Sequence, residues 1–169
     1  MSDALFLDRV KTPIGELLLV ADGRGRLRML EFADREERWR SVFRRHFDAK
    51  TFAETRDAAI AAKLERYFAG DVAALDEIAT DAQGTGFQHV CWQNLRVIRP
   101  GTTTTYGTLA AKMGKPAAMR AVGLANGANP IAVVVPCHRV VGSDGSLTGY
   151  GGGLERKRWL LDHERKHAT

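Results

Sequence analysis

Three residues with reactive or charged side chains follow one another in the second half of the chain: Cys137, His138 and Arg139. A thiol becomes a nucleophile when it loses its proton, and imidazole is the side chain most often used to accept a proton near neutral pH. The three residues come directly after Pro136, which has no backbone N–H and therefore ends a strand. A free cysteine beside a core segment usually serves as a small apolar residue. The rest of the sequence must decide between that packing role and a nucleophile.

The segment before the cysteine reads Ile-Ala-Val-Val-Val, at residues 131–135, between two prolines. Four β-branched residues in so short a run predict a fully buried strand that ends at the cysteine. Adjacent side chains of an extended chain point to opposite faces. His138 is therefore expected to reach the Cys137 thiol through a bridging water unless a turn intervenes.

A carboxylate is available further along the chain. Glu164 lies in a predicted helix, 154–167. It shares the apolar side of that helix with Leu160 and Leu161, which precede it by four and three residues. A carboxylate on that side costs free energy unless an interior partner pairs with it. The order Cys, His, Glu is that of a nucleophile, a base and the group that orients the base.

The sequence of the first half of the chain indicates a structural domain that supports the second half. Residues 5–9, 16–21 and 26–32 form a β-meander, and the helices 34–47 and 57–68 follow, the first with Asp34 as N-cap. Residues 71–86 connect this part to the next. No catalytic set of residues is found in it.

The second half is mainly helical, with predicted helices at 87–98, 106–113 and 116–126. Thr105 is the predicted N-cap of the second of these and Pro116 lies in the first turn of the third, a helix-turn-helix pattern. Four small residues would let the third helix approach a surface closely, and Arg120 projects from it. The small residues are Ala117, Ala118, Ala121 and Gly123. An Ala-rich helix packed inside a bundle would look the same.

Residues 146–153 contain four glycines, and Tyr150 is their only aromatic residue. Such a segment is either a flexible linker or a loop that lies against a flat ligand, and the tyrosine favours the loop.

Composition limits the functional classes. The chain has 169 residues and 44% hydrophobic residues, with no secretion signal or membrane span, so a cytoplasmic protein is expected. Residues 86–169 carry 11 Lys and Arg against 4 Asp and Glu, a balance of +7, which favours a polyanionic partner. Cys91 and Cys137 suit neither a disulfide framework nor a metal site, and Cys91 and His89 are interpreted as core residues.

These residues resemble the O6-alkylguanine-DNA alkyltransferases. The resemblance rests on Pro136-Cys137-His138-Arg139-Val140, on Asn129-Pro130 before it, and on Gly149-Tyr150, Gly152-Gly153-Leu154 and Trp159-Leu-Leu-Asp-His-Glu164 after it. It covers the second half of the chain, whereas the first half matches only in layout. It implies an α/β (α+β) fold: a ribonuclease-H-like domain with an antiparallel sheet at 1–82, and a mainly helical winged helix-turn-helix domain at 83–169.

The resemblance implies direct DNA repair, in which one alkyl group passes irreversibly from O6-alkylguanine in double-stranded DNA to the protein. O4-alkylthymine is a second substrate that the sequence leaves open. The expected protein is a monomer that binds the minor groove, flips the nucleotide, and uses no cofactor and no metal. The implied catalytic residues are Cys137 as acceptor, His138 as water-linked base, Glu164 as its orienting partner and Asn129 as the residue that shapes the turn. Tyr106, Arg120, Val140, Tyr150 and Gly151 would bind the substrate nucleotide. Arg120 would fill the gap in the duplex, and the Cys137 and Val140 carbonyls would contact the guanine. Ala117, Ala118, Arg120, Ala121, Gly123 and Arg139 would contact DNA.

Two features depart from the family pattern. Met119 stands where the family has a small residue before the arginine, which affects how closely the helix approaches the groove, and the early cysteines that bind zinc in some relatives are absent.

Two alternative functions fit the sequence less well. A damage-binding module without transfer activity would lack the acceptor cysteine. A Cys-His hydrolase would turn over repeatedly and would leave the basic helical half unexplained.

Overall fold

The computed structural model describes residues 4–47, 52–53 and 58–168. The chain forms two compact units, Met1–Gln83 with Pro130–Val134, and Gly84–Asn129 with Val135–Thr169. The predicted mixed fold, with a small antiparallel sheet and a helical C-terminal part, is confirmed. Within these ranges, none of the helices has the length and apolar character needed to cross a membrane.

The first unit is built on a four-stranded sheet of order β3-β2-β1-β4. The strands are β1 (Leu5–Thr12), β2 (Gly15–Asp22), β3 (Leu27–Phe32) and the short β4 (Phe52–Ala53). β1, β2 and β3 form the predicted antiparallel meander, and β4 pairs in parallel with β1. Buried apolar side chains make up most of β2 and β3, so this sheet carries the core of the unit.

Two helices follow the meander. α1 (Glu36–His46) lays Trp39, Val42 and Phe43 against the sheet, as its apolar spacing predicts. The predicted Asp34 cap is wrong: the chain first makes a turn in which the Arg35 N–H bonds to the Phe32 carbonyl, and Arg35 occupies the N-cap position without a side-chain bond. α2 (Ala58–Phe68) fits its prediction, although the predicted first residue, Asp57, lies outside the described residues. A 3₁₀ helix at Val72–Glu77, which the sequence did not indicate, ends this part.

Residues 131–135 are buried, as predicted, but the prediction of a strand is wrong. Only Ile131 makes a bridge, to Leu30, whose N–H and carbonyl bond to Pro130 and Ala132. The Val134 N–H then bonds to the Ala132 carbonyl at 2.8 Å across Val133, whose φ is 70°, so the chain makes a γ-turn instead of extending. This conformation is strained for a β-branched residue, at a cost of order 1–3 kcal/mol.

The second unit contains four helices and one small parallel ladder. They are α3 (Gly86–Arg96), β5 (Thr104–Thr105), α4 (Tyr106–Lys112), α5 (Met119–Gly127), β6 (Val140–Val141) and α6 (Leu154–His167), with β5 paired to β6. Thr105 caps α4 as predicted, its hydroxyl accepting from the Thr108 N–H at 3.1 Å. α5 begins three residues later than predicted because Pro116 and Ala117 occupy the middle of a turn closed by the Ala118 N–H on the Lys115 carbonyl.

Candidate active site

The candidate nucleophile lies in one turn of 3₁₀ helix, Cys137–Arg139, which we call the cysteine turn. Pro136 precedes it with φ −82° and ψ 64°, and the Cys137 N–H bonds to the Val135 carbonyl at 2.8 Å, an inverse γ-turn. The same carbonyl accepts a second bond, at 2.8 Å, from Nδ2 of buried Asn129. Asn129 thus bonds to the carbonyl that closes the inverse γ-turn before the cysteine turn. Its predicted role is to shape this turn.

The turn brings His138 to Glu164 of α6. Nε2 of His138 lies 2.8 Å from Oε2 of Glu164, and both side chains are fully buried. An ionised carboxylate can only accept, so in a neutral imidazole the proton is assigned to Nε2, and Nδ1 keeps its lone pair. Nδ1 is buried and has no hydrogen-bond partner among the residues that the structure describes. The ring is therefore oriented by Glu164 with one basic nitrogen available.

Arg139 points into the same interior, which does not fit its predicted role in DNA contact. Its Nε donates to Oε1 of Glu164 and its Nη2 to Oε2, both at 2.8 Å, and its Nη1 donates to the Ile98 carbonyl at 2.5 Å. The residue is only 3% exposed. Because Arg139 directly follows His138 in a tight turn, both side chains share one carboxylate, and the guanidinium has no face left for a phosphate.

Burial and these contacts set the charges of the group. Burial lowers the pKa of His138 below its usual 6.5, and the opposing influence of Glu164 does not overcome it. Burial alone would raise the pKa of Glu164, but the contacts with His138 and Arg139 outweigh it and hold that pKa well below its usual range. The site thus contains an ionised Glu164, a charged Arg139 and a neutral imidazole.

A fully buried lysine, Lys157 of α6, was missed by the sequence interpretation. Its Nζ donates to the Thr148 carbonyl at 2.7 Å and to the Gly149 carbonyl at 3.4 Å. No carboxylate of the described residues pairs with it, and it interacts electrostatically with Cys137. Burial lowers the pKa of Lys157, and the interaction with Cys137 opposes that shift. A buried cation with the thiol as its electrostatic partner favours the thiolate.

The lysine also fastens the glycine-containing segment that carries two of the predicted substrate-binding residues, Tyr150 and Gly151. The Tyr150 ring meets the His138 ring edge to face, with centroids 6.4 Å apart. The predicted partner Tyr106, at the start of α4, joins the segment through its hydroxyl, which accepts from the Thr148 hydroxyl at 3.2 Å. The structure therefore brings the tyrosines of the predicted set to one region beside the cysteine turn.

The backbone of the turn is more occupied than the sequence suggested. The Cys137 carbonyl, expected to contact guanine, accepts the Val140 N–H and also Nδ2 of Asn126 at 3.4 Å. Asn126 lies buried near the end of α5, and its Oδ1 has no partner in the described part of the chain. Val140, also predicted to bind substrate, has a fully buried side chain in β6, so only its backbone is available for that role.

Known proteins share both units. Residues 7–82 match a family model described as the ribonuclease-like domain of 6-O-methylguanine DNA methyltransferase, and residues 86–166 match that of its DNA binding domain. A methylated-DNA--protein-cysteine methyltransferase of Salmonella typhimurium is 47% identical over 163 residues, 95% of this chain and 95% of the relative. The chain belongs to the 6-O-methylguanine DNA methyltransferase family. The resemblance found in the sequence is thereby confirmed.

Solved methyltransferase structures agree with this assignment. The Mycobacterium tuberculosis OGT in complex with DNA has a TM-score of 0.79 and 40% identity, covering 96% of this chain and 94% of that one. The crystal structure of the Mycobacterium tuberculosis O6-methylguanine methyltransferase has a TM-score of 0.77 and 37% sequence identity, and the match covers 98% of this chain and 95% of that one. Among the described residues of the present family member, no group of three or more His, Cys, Asp or Glu side chains could hold a metal ion.

The predicted DNA-contacting residues of this methyltransferase-family chain are only partly on one face. Arg120 and Ala121 lie on the exposed side of α5, Ala117 is exposed in the preceding turn, and Ala118 is half-buried. Gly123 is half-buried, and a Cβ there would lie 3.8 Å from Cδ1 of Tyr106. Leu124, which the sequence interpretation did not select, lies one turn from Arg120 and is 73% exposed.

Proposed function

We propose that this chain repairs DNA in the cytoplasm by moving the alkyl group of O6-alkylguanine onto Sγ of Cys137, once per protein molecule, as a single chain without a cofactor. The observation that supports it most is the pairing of His138 with Glu164, which leaves the other imidazole nitrogen basic beside the cysteine turn. Family membership and the DNA complex of a relative support DNA as the partner.

The first step is removal of the thiol proton. A free thiol has a pKa of about 8.5, so only a few per cent is ionised near neutral pH without help. His138 takes the proton on Nδ1 through a bridging water, and Glu164 stabilises the resulting imidazolium through Nε2. The buried Lys157 ammonium stabilises the thiolate.

The second step is displacement at the alkyl carbon. The thiolate forms an S–C bond as the C–O6 bond breaks, and the electron pair of that bond passes to the guanine. The guanine takes up one proton from water, and the His138 imidazolium returns the thiol proton to water. The products are a thioether on Cys137 and unmodified guanine. No group in the site reverses a thioether, so the protein acts once.

The base must leave the stack before the sulfur can reach it, at a cost of a few kcal/mol that protein–DNA contacts offset. Arg120, exposed near the start of α5, fills the gap in the duplex, and Tyr106, Tyr150 and Gly151 hold the flipped nucleotide. The basic balance of the second half attracts the phosphates. The exposed side of α5 enters the minor groove through Arg120 and Ala121, together with Ala117 of the turn before the helix.

The test is incubation of the protein with a duplex that carries a single O6-methylguanine, followed by intact mass and peptide mapping. One added CH₂ on the Cys137 peptide, one equivalent per protein, and recovery of guanine in the DNA are expected. Binding without a mass change would identify a damage-binding module, and many turnovers per protein would identify a hydrolase. Either result would overturn the proposal.

A further inference from the structure

The Arg139 guanidinium lies inside the second unit and donates hydrogen bonds to two residues, Glu164 and Ile98. Two parallel bonds of 2.8 Å join it to both oxygens of Glu164, and a third joins it to the Ile98 carbonyl. Such a two-point Arg–carboxylate pair fixes the plane of the carboxylate as well as its charge. Oε2 of Glu164 also receives Nε2 of His138, so one oxygen serves the base and the arginine together.

This sharing limits what the carboxylate does to the imidazole. A buried carboxylate bonded only to a histidine would favour the imidazolium, which has no lone pair left for a thiol proton. With a guanidinium on both oxygens, the negative charge is already balanced, and the ring is oriented without being charged. Burial is the main cause of the lowered pKa of His138, and the charge of Arg139 also lowers it, against the opposing effect of Glu164.

The surroundings of His138 contain few other ionisable groups in the described part of the chain. Lys157 and Glu164 come from α6, Cys137 and Arg139 from the cysteine turn, and Tyr150 from the segment before α6. α3, which also packs against the turn, contributes the buried thiol of Cys91. His89 of α3 meets Trp92 edge to face. In α6, His163 stacks on Trp159 and His167 lies against His163. Arg139 is the cation bonded to the carboxylate that His138 uses.

We propose that Arg139 is a positioning residue for the transfer reaction: by holding both oxygens of Glu164 it lets that carboxylate orient His138 while leaving the imidazole neutral and able to act as a base. This inference rests on the proposed alkyl transfer. It replaces the DNA-contact role that the sequence suggested for this arginine.

The test compares Arg139→Met, which removes the charge, with Arg139→Lys, which keeps it but loses the two-point geometry. The single-turnover transfer rate to an O6-methylguanine duplex is measured from pH 5 to pH 9, and the imidazole of His138 is titrated by NMR in the same proteins. Arg165→Met is the matched control, because Arg165 follows Glu164 in the chain, is exposed, and changes the net charge equally.

In Arg139→Met the unbalanced carboxylate is expected to make the His138–Glu164 pair bind a proton about 1 to 3 pH units higher, so that the acid limb of the rate profile moves up by that amount. The loss of rate is then large at pH 6 and small at pH 8.5. Arg139→Lys keeps the wild-type limb and is slower at all pH values, and the control matches wild type. A folded Arg139→Met protein with an unmoved limb would overturn the inference.

Two further readings keep the outcomes separate. If Arg139→Met does not fold, the NMR titration of His138 in the wild-type protein tests the inference. An imidazolium at pH 7 would contradict it, and a neutral ring with the proton on Nε2 would support it. If wild type transfers nothing, the proposed function fails. The NMR titration of His138 still reports the effect of Arg139 in that case.

Discussion

The two cysteines of the chain are both buried, yet their surroundings differ in every property that controls a thiol. Cys91 lies inside α3 beside Trp92 and Leu95, with no exposed surface. Burial, with a smaller contribution from Cys137, raises the pKa of Cys91 to about 11. Cys137 lies in the cysteine turn, is 8% exposed, and has Lys157 as an electrostatic partner.

The comparison predicts that the polar groups placed around a buried sulfur, and not the degree of burial, decide whether it reacts. An apolar setting favours the neutral thiol, whereas a cation and a base nearby favour the thiolate. The two regions can be tested against each other by removing, one at a time, the features that only Cys137 has.

Replacing the sulfur itself has the largest expected effect. Cys137→Ala removes the only proposed acceptor, so transfer to the protein falls to zero while binding to the methylated duplex is kept. Cys91→Ala, the matched control, transfers one equivalent at the wild-type rate. Intact mass after incubation with the duplex measures both. Residual transfer in Cys137→Ala would make Cys91 an acceptor and would remove the distinction between the two sites.

Removing the base comes next. His138→Gln eliminates Nδ1 as proton acceptor, and the single-turnover rate at pH 7 is expected to fall about 10²–10⁴-fold, the range for one general base. The control is His89→Gln in α3, the helix that contains Cys91. This change is expected to leave the rate unchanged, because His89 contacts Trp92 and has no role in the proposed transfer.

The pH profile of the wild type gives an independent check on the base. Because the neutral imidazole is the active form and the pKa of His138 lies below its usual 6.5, the rate is expected to persist below pH 6.5 and to decline only at still lower pH. A profile that begins to decline above pH 6.5 on acidification would contradict this ionisation state.

Removing the buried cation has a smaller effect. Lys157→Met keeps most of the side-chain volume but takes away the charge, which raises the cost of forming the thiolate at Cys137. One unit of thiol pKa corresponds to about a tenfold loss of thiolate, so the rate at pH 7 is expected to fall about tenfold. The loss shrinks as the pH is raised, because hydroxide then ionises the thiol without help. A loss of the same size at pH 7 and pH 9 would instead indicate that Lys157 acts only by holding the Thr148 and Gly149 carbonyls.

The sequence predicted which of the proposed reacting residues lie together better than it predicted the backbone that holds them. Spacing alone placed Glu164 on the inner side of α6, and the same spacing could have found Lys157, which is three, four and seven residues from Leu160, Leu161 and Glu164. A lysine in a charged helix was passed over because most lysines are solvated.

The errors come from turns. The valines around Val133 indicate burial, but composition does not tell a strand from a γ-turn with a positive φ. The direction of Arg139 depends on the 3₁₀ geometry of the cysteine turn, and no periodicity signals one turn of helix after a proline.

The smallest expected effect is on Cys91, and it completes the comparison. Native protein treated with iodoacetamide at pH 8 is expected to be alkylated at Cys137 and not at Cys91, because with a pKa of about 11 only about one Cys91 thiol in a thousand is ionised there and none of its surface is exposed. Each added pH unit raises that ionised fraction about tenfold until the pKa is reached. Unfolding removes the burial that raises the pKa, so both cysteines then react alike, as peptide mapping by mass spectrometry would show. If native Cys91 reacted as fast as Cys137 at pH 8, the polar groups of the cysteine turn would not be what separates the two thiols.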